Sequence, residues 1–198
     1  MAIRLFRGLA ATVLIGVGAM LAACAPKPAT EAAAPAANAP PLKPVASVLD
    51  LMLGIIDTNA DDLWESVATV STEKGIEERQ PRTPEEWKKV RFQALALIEG
   101  ANLLMMEGRV VAHPGQQLDE PGGQGDFTPE QSQAAVDASR STFVAYARAL
   151  RDTAELMLKA IENQNPDGML EAGGALDEAC EQCHLKFWYP NSPQPPGA

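Results

Sequence analysis

The sequence predicts an all-α fold arranged as a four-helix bundle. Apolar residues recur at steps of three and four along four separate segments, the signature of amphipathic helices. Three of those segments open on a polar residue followed by proline, at Thr83-Pro84, Thr128-Pro129 and Asn165-Pro166, which suits a helix cap and a first turn. No alternating β-branched run competes with them.

The first segment places Val45, Leu49, Met52 and Ile56 on one stripe and continues through Ala60, Leu63, Val67 and Val70. Asp57-Thr58-Asn59 is expected to break it, with Thr58 or Asn59 capping the second part. The second segment starts with Thr83, Pro84, Glu85 and Glu86, whose acids complement the helix dipole. Its stripe is Trp87, Val90, Ala94, Leu97, Ala101, Leu104 and Gly108. The third, from Thr128, carries Val136, Phe143, Ala147, Leu150, Ala154, Met157 and Ile161. The fourth, from Asn165, carries Met169, Gly173, Leu176, Cys180, Cys183 and Phe187. Short or moderate connections between such helices favour a bundle. Residues 72–82 are charged and should be solvated, and residues 112–127, with four glycines and two prolines, read as disordered.

The helical domain is expected over residues 45–189. Before it, Arg4 and Arg7 precede an uncharged, mostly apolar run from Leu9 to Leu21, then Leu21-Ala22-Ala23-Cys24. A basic start, a short apolar core and small residues before a cut describe an export signal over residues 1–23. The run is short for a permanent transmembrane helix. The Leu-Ala-Ala-Cys ending resembles the lipobox of bacterial lipoproteins, which implies a lipid on Cys24 and a membrane anchor. No Asp follows Cys24, and the resemblance then leans towards the outer membrane, with the domain in the periplasm. Residues 24–44 follow as an Ala/Pro-rich tether with six prolines and eight alanines after Cys24. Extended as polyproline II, it reaches roughly 60 Å. Residues 190–198 hold four prolines and read as a disordered tail.

Loss of residues 1–23 removes Arg4 and Arg7 and leaves 14 basic against 26 acidic side chains, a formal charge of −12. Such a surface disfavours nucleic acid, whose phosphates need Lys and Arg, and favours a basic-surfaced partner.

Cys180-Glu181-Gln182-Cys183-His184 has the form C-x-x-C-H, the attachment motif of c-type haem. Two thiols three residues apart lie on one side of a helical turn and can form thioethers with two vinyl groups, and the adjacent imidazole can ligate the iron. Three rival readings exist. A thioredoxin-like pair should follow a strand in a βαβ setting. A zinc site needs a fourth ligand, and the other histidine, His113, lies in the long loop. A disulfide across so small a loop in a helix is strained. One covalent haem c, held by Cys180 and Cys183 with His184 as proximal ligand, is the favoured reading.

The stretch Ala179 to Phe187, in the last helix of an all-helical chain, resembles the class II c-type cytochromes, the cytochrome c-prime family. The resemblance implies that the C-terminal helix bears the haem, that the first helix covers its other face, and that a homodimer through the first two helices is open to it. It also implies that Met52 supplies the sixth ligand, as in the low-spin members, making the chain a monohaem electron carrier rather than an enzyme. The alternative is a five-coordinate haem protein binding small gases such as nitric oxide. One departure concerns the residues after His184: many family members carry a basic group there, where this chain has Trp188-Tyr189-Pro190.

Other side chains receive plainer readings. Met105 and Met106 are secondary ligand candidates or contacts to the haem edge, and Met157 and Met169 are core. Phe187 and Trp188 are expected to pack on the porphyrin edge or close the end of the bundle. Trp64 and Trp87 belong to the core. Gly54, Gly173 and Gly174 suggest close approach of the backbone to the macrocycle or tight helix packing. No nucleophile–base pair or carboxylate dyad is visible.

Overall fold

A computed structural model describes residues 42–118 and 126–191. The expected signal segment, Cys24 and most of the tether lie outside the described residues, as does the tail beyond Asn191. The described part is mostly helical. Its elements are α1 (Val48–Leu51), a π-helical turn (Met52–Ile56), α2 (Asp57–Ser66), β1 (Ala68–Thr72), β2 (Gly75–Arg79), α3 (Pro84–Leu104), α4 (Pro129–Ala138), α5 (Arg140–Glu162) and α6 (Pro166–Phe187). No helix among the described residues is long and apolar enough to cross a membrane.

The long helices start where the sequence places them. Thr83 and Thr128 each accept a bond from the backbone N–H three residues on, and Glu86 and Gln131 return it, so both ends are capping boxes. Asn165 caps α6 through Gly168 N–H. The core lies between α3, α5 and α6, with α2 against α3. Leu63, Leu97, Leu104, Met157, Met169 and Leu176 are its large, fully buried side chains.

Five expectations are corrected. The first helix does not break at Asp57: α1 and α2 run on through the wide turn, in which Asp57 N–H bonds Met52 C=O. Thr58 and Asn59 are not caps. The Thr58 hydroxyl donates to Leu53 C=O at 3.0 Å and the Asn59 amide to Ile55 C=O at 2.7 Å, serving carbonyls on the widened turn. Val67 and Val70 leave the helix, which ends at Ser66. The β-branched stretch from Val67 to Thr72 instead prefers extended backbone, and β1 pairs antiparallel with β2 from Ala68↔Arg79 to Thr72↔Gly75. Gly75, at φ +123°, makes the reversal that an L side chain resists. This small sheet is a departure from an all-α chain, although β2 is exposed throughout, as its charge suggests. The third predicted helix is two, because Ser139 turns at φ −134°, ψ 40° between α4 and α5. Helix α3 stops at Leu104, short of Gly108, which is exposed at φ +75°.

The fifth correction concerns the long loop, whose first part is docked. The N–H groups of Val48 and Leu49, orphan donors at the start of α1, bond the carbonyls of Val110 and Val111 at 2.9 and 3.0 Å. The Gln116 amide donates to Asp50 at 2.6 Å and accepts from the Ser47 hydroxyl at 3.1 Å and from His113 N–H at 2.6 Å. Buried Arg109 bonds the carbonyls of Leu103, at 2.8 Å, and Ala46. Arg140 bonds those of Met105 and Met106 at 2.9 and 3.0 Å. The two guanidiniums thus replace a cap at the end of α3.

Gly100 of α3 lets the π-helical turn sit close, since a Cβ there would lie 3.0 Å from Ile56 Cγ1 and 3.1 Å from Ile55 Cγ2. Gly100→Val should therefore lower stability by about 1–3 kcal/mol through overpacking, read as a lower urea midpoint. Arg109→Met strands two carbonyls that a charged donor now serves. It should cost roughly 1.5–3 kcal/mol in the same assay.

Candidate cofactor site

The buried stripe of α6 orients the motif. Met169, Leu176, Ala179 and Phe187 face the core, and Cys180, Cys183 and His184 lie on the adjoining, half-buried side of the same helix. That side walls two cavities. The smaller, about 180 Å³, is lined by Met52, Ile56 and Ala60 from the first helical column, by Tyr146 and Leu150 from α5, and by Cys180, Cys183 and His184. The larger, about 560 Å³, runs past Met52, Cys183 and His184 to Ser132 and Val136 of α4 and to Phe187, Trp188 and Tyr189. Its volume falls within the roughly 300–1,000 Å³ of small-molecule and cofactor pockets. Five residues, Met52, Asp57, Phe143, Cys183 and His184, belong to both.

Two thiols, an imidazole and a thioether sulfur thus share one largely apolar space. Its walls suit a flat, apolar prosthetic group with a few polar edges, and the donor set suits haem iron. Met105 and Met106 line neither cavity. Met106 Sδ instead lies 3.4 Å from an Arg109 nitrogen. Met157 and Met169 are fully buried core.

His184 lies under two aromatic rings. Trp188 stands edge-on to the imidazole at 5.0 Å between centroids and Tyr189 at 5.8 Å. They are brought there because the Trp188 and Tyr189 N–H groups both bond His184 C=O, at 2.8 and 3.0 Å, and close the helix end. The Tyr189 hydroxyl donates to Glu181 at 2.5 Å. Burial, helped by that carboxylate, holds the phenol protonated well above its usual range. Burial also lowers the His184 pKa, against the opposing pull of Glu181 and Asp57, and keeps the ring in the neutral form that ligates a metal.

Both cysteines are free thiols. Burial, with Asp177 next, pushes Cys180 up to about 11. Burial, with Cys180 next, pushes Cys183 up to about 12. A disulfide exchanger needs the opposite, a thiolate stabilised at a helix N-terminus or beside a cation. Here the pair sits near the far end of α6. The zinc alternative gains nothing from His113, whose Nε2 is engaged by Val45 C=O at 3.1 Å. Among the described residues no three His, Cys, Asp or Glu side chains cluster as metal ligands.

Phe187 closes the core, edge-on to Phe143 at 5.5 Å and Tyr146 at 6.2 Å. Trp64 is half-buried and lines the smaller cavity. Its N–H donates to Gly173 C=O at 3.0 Å, and a Cβ on Gly173 would meet its ring at 3.2 Å, so this glycine serves helix packing. Gly54 and Gly174 face open space. Sequence reasoning missed Asp57, Ser132, Tyr146 and Asp177 on the cavity walls. The Tyr146 position was legible, next to Ala147 on the α5 stripe; the others depend on the approach of separate helices.

The chain matches no known family model, no curated protein and no solved structure. The chemistry of the site therefore has to be argued from its own residues.

The protein produced without residues 1–24 in a cytoplasm, where Cys180 and Cys183 stay unmodified, should resist alkylation at pH 7.5. Its thiolate fraction should be about 100-fold below that of the ordinary thiol. The reaction with iodoacetamide should accelerate as pH rises towards 11 and become fast at neutral pH in denaturant.

Proposed function

We propose that this chain is a monohaem c-type cytochrome of the class II, c-prime-like type, a four-helix bundle tethered by a lipid on Cys24 to the bacterial cell envelope. Its task is electron transfer in the periplasm to or from a basic-surfaced partner. The observation that carries this is the common cavity wall shared by Met52 with Cys183 and His184, with Cys180 alongside. The first helical column thus brings the thioether side chain of Met52 to the same cavity as the imidazole of the attachment motif, which the motif alone does not require.

In this reading Cys180 and Cys183 would hold the haem through thioethers, and His184 and Met52 would be the side chains that ligate its iron. The bound iron supplies one-electron chemistry, and a methionine ligand raises its reduction potential. The protein's part is to keep coordination unchanged between the two oxidation states. Neutral His184 is packed against the edges of Trp188 and Tyr189, and Met52 starts a turn whose carbonyls are tied by Thr58 and Asn59. Apolar side chains from Ile56, Phe143 and Leu150 limit water. The net negative charge steers a cationic partner, at a rate that falls with salt.

Protein matured with the export and haem-attachment machinery should carry one haem that survives denaturing electrophoresis. It should show low-spin spectra in both oxidation states and a weak methionine–iron band when oxidised. Met52→Ala should abolish that band and bind carbon monoxide far faster when reduced. A wild type that is already high-spin and binds carbon monoxide as fast as Met52→Ala would replace electron transfer with gas binding. Free thiols at both Cys180 and Cys183 in matured protein would remove haem from the account altogether.

A further inference from the structure

Among the described residues, two buried polar groups on the larger cavity have no partner. Ser132, in the second turn of α4, is 2% exposed, and its hydroxyl makes no hydrogen bond; the indole N–H of Trp188 is likewise buried and unbonded. Both residues line the larger cavity, and neither lines the smaller. An unsatisfied buried polar group costs about 1–3 kcal/mol, so two on one cavity point to a ligand group that accepts hydrogen bonds there. The segments that carry them are joined: Phe127 N–H, just before the Thr128 cap of α4, donates to Trp188 C=O at 2.7 Å. No lysine or arginine lines this cavity among its described residues, whereas Asp57 and Asp126 do. An acidic group entering here is thus held by neutral donors and not by a counter-charge.

Resting on the haem reading above, we propose that Ser132 Oγ and Trp188 Nε1 form the anchor for a carboxylate of the bound cofactor, a haem propionate. Cys180 lines only the smaller cavity. In protohaem-derived macrocycles the vinyl groups and the propionates are carried on different pyrrole rings. Thioethers on Cys180 and Cys183 would therefore leave the acidic edge apart from the two sulfurs, and Ser132 and Trp188, which line only the larger cavity, are the unpartnered donors there. The two donors fix how far the macrocycle enters and so which edge stays near solvent. Trp188 acquires a second task beside its packing on His184, which explains an indole where a phenyl ring would pack as well.

The test uses matured holoprotein as wild type, Ser132→Ala, Trp188→Phe and the double variant, with covalent haem checked first in each. The midpoint potential is then followed from pH 4 to 9. Hydrogen bonds to a carboxylate favour its ionised form, so their loss raises its pKa. Each single variant should move the inflection of the potential to higher pH by roughly one unit, or bring one into the window where the wild type is flat, and the double variant should move it further. Identical profiles for wild type and double variant, with haem attached in both, would overturn the anchor and leave the haem reading standing. Absence of covalent haem from the wild type would overturn both. Either single variant suffices for the comparison should the double variant fail to fold.

Discussion

Burial of one side of α6 against α5 is the constraint on which the site depends. Met169, Leu176, Ala179 and Phe187 have to face the core, and the helical period then dictates where Cys180, Cys183 and His184 face. Rotating the helix to bury the thiols fully would expose Leu176 and Phe187, at a cost of about 1.5–3 kcal/mol for each large side chain. The chemistry is therefore aimed by the packing of residues that take no part in it.

Opposite this helix, the first helical column achieves its placement by another route. A widened turn begins at Met52, sits on the bare surface of Gly100 and has carbonyls tied back by Thr58 and Asn59. Such turns recur at functional sites because they shift side chains relative to a regular helix. Here the shift acts on the segment between Met52 and Asp57, both of which line the two cavities. The docked loop adds to this by occupying the first donors of α1. Helix irregularity and loop docking are thus parts of one arrangement around the two cavities.

How much was legible in the sequence varied with the range of the interaction. Capping residues declared the starts of α3, α4 and α6, because a cap bonds only its own first turn. The third stripe was read correctly as buried, all seven of its residues from Val136 to Ile161 facing the core, although the break at Ser139 puts Val136 in α4 and the other six in α5. The β1–β2 hairpin was hidden because Leu63, Val67 and Val70 keep helical spacing while Val67 already belongs to a β-branched run. Local propensity and period gave opposite answers there, and the turn at Gly75 decided between them.

By itself the sequence determined the helical character of the chain, the starts of its long helices and the C-x-x-C-H group near the end of the last one. These depend on residues within a turn or two of one another, where side-chain type and spacing are sufficient. Tertiary structure alone decided that Met52 shares a cavity with Cys183 and His184 while Met105 and Met106 do not, that the helix start widens into a π turn, and that Ser132 and Trp188 are left with unused donors. Those outcomes are set by which helix faces meet across the core, and spacing along one strand of sequence carries no record of that.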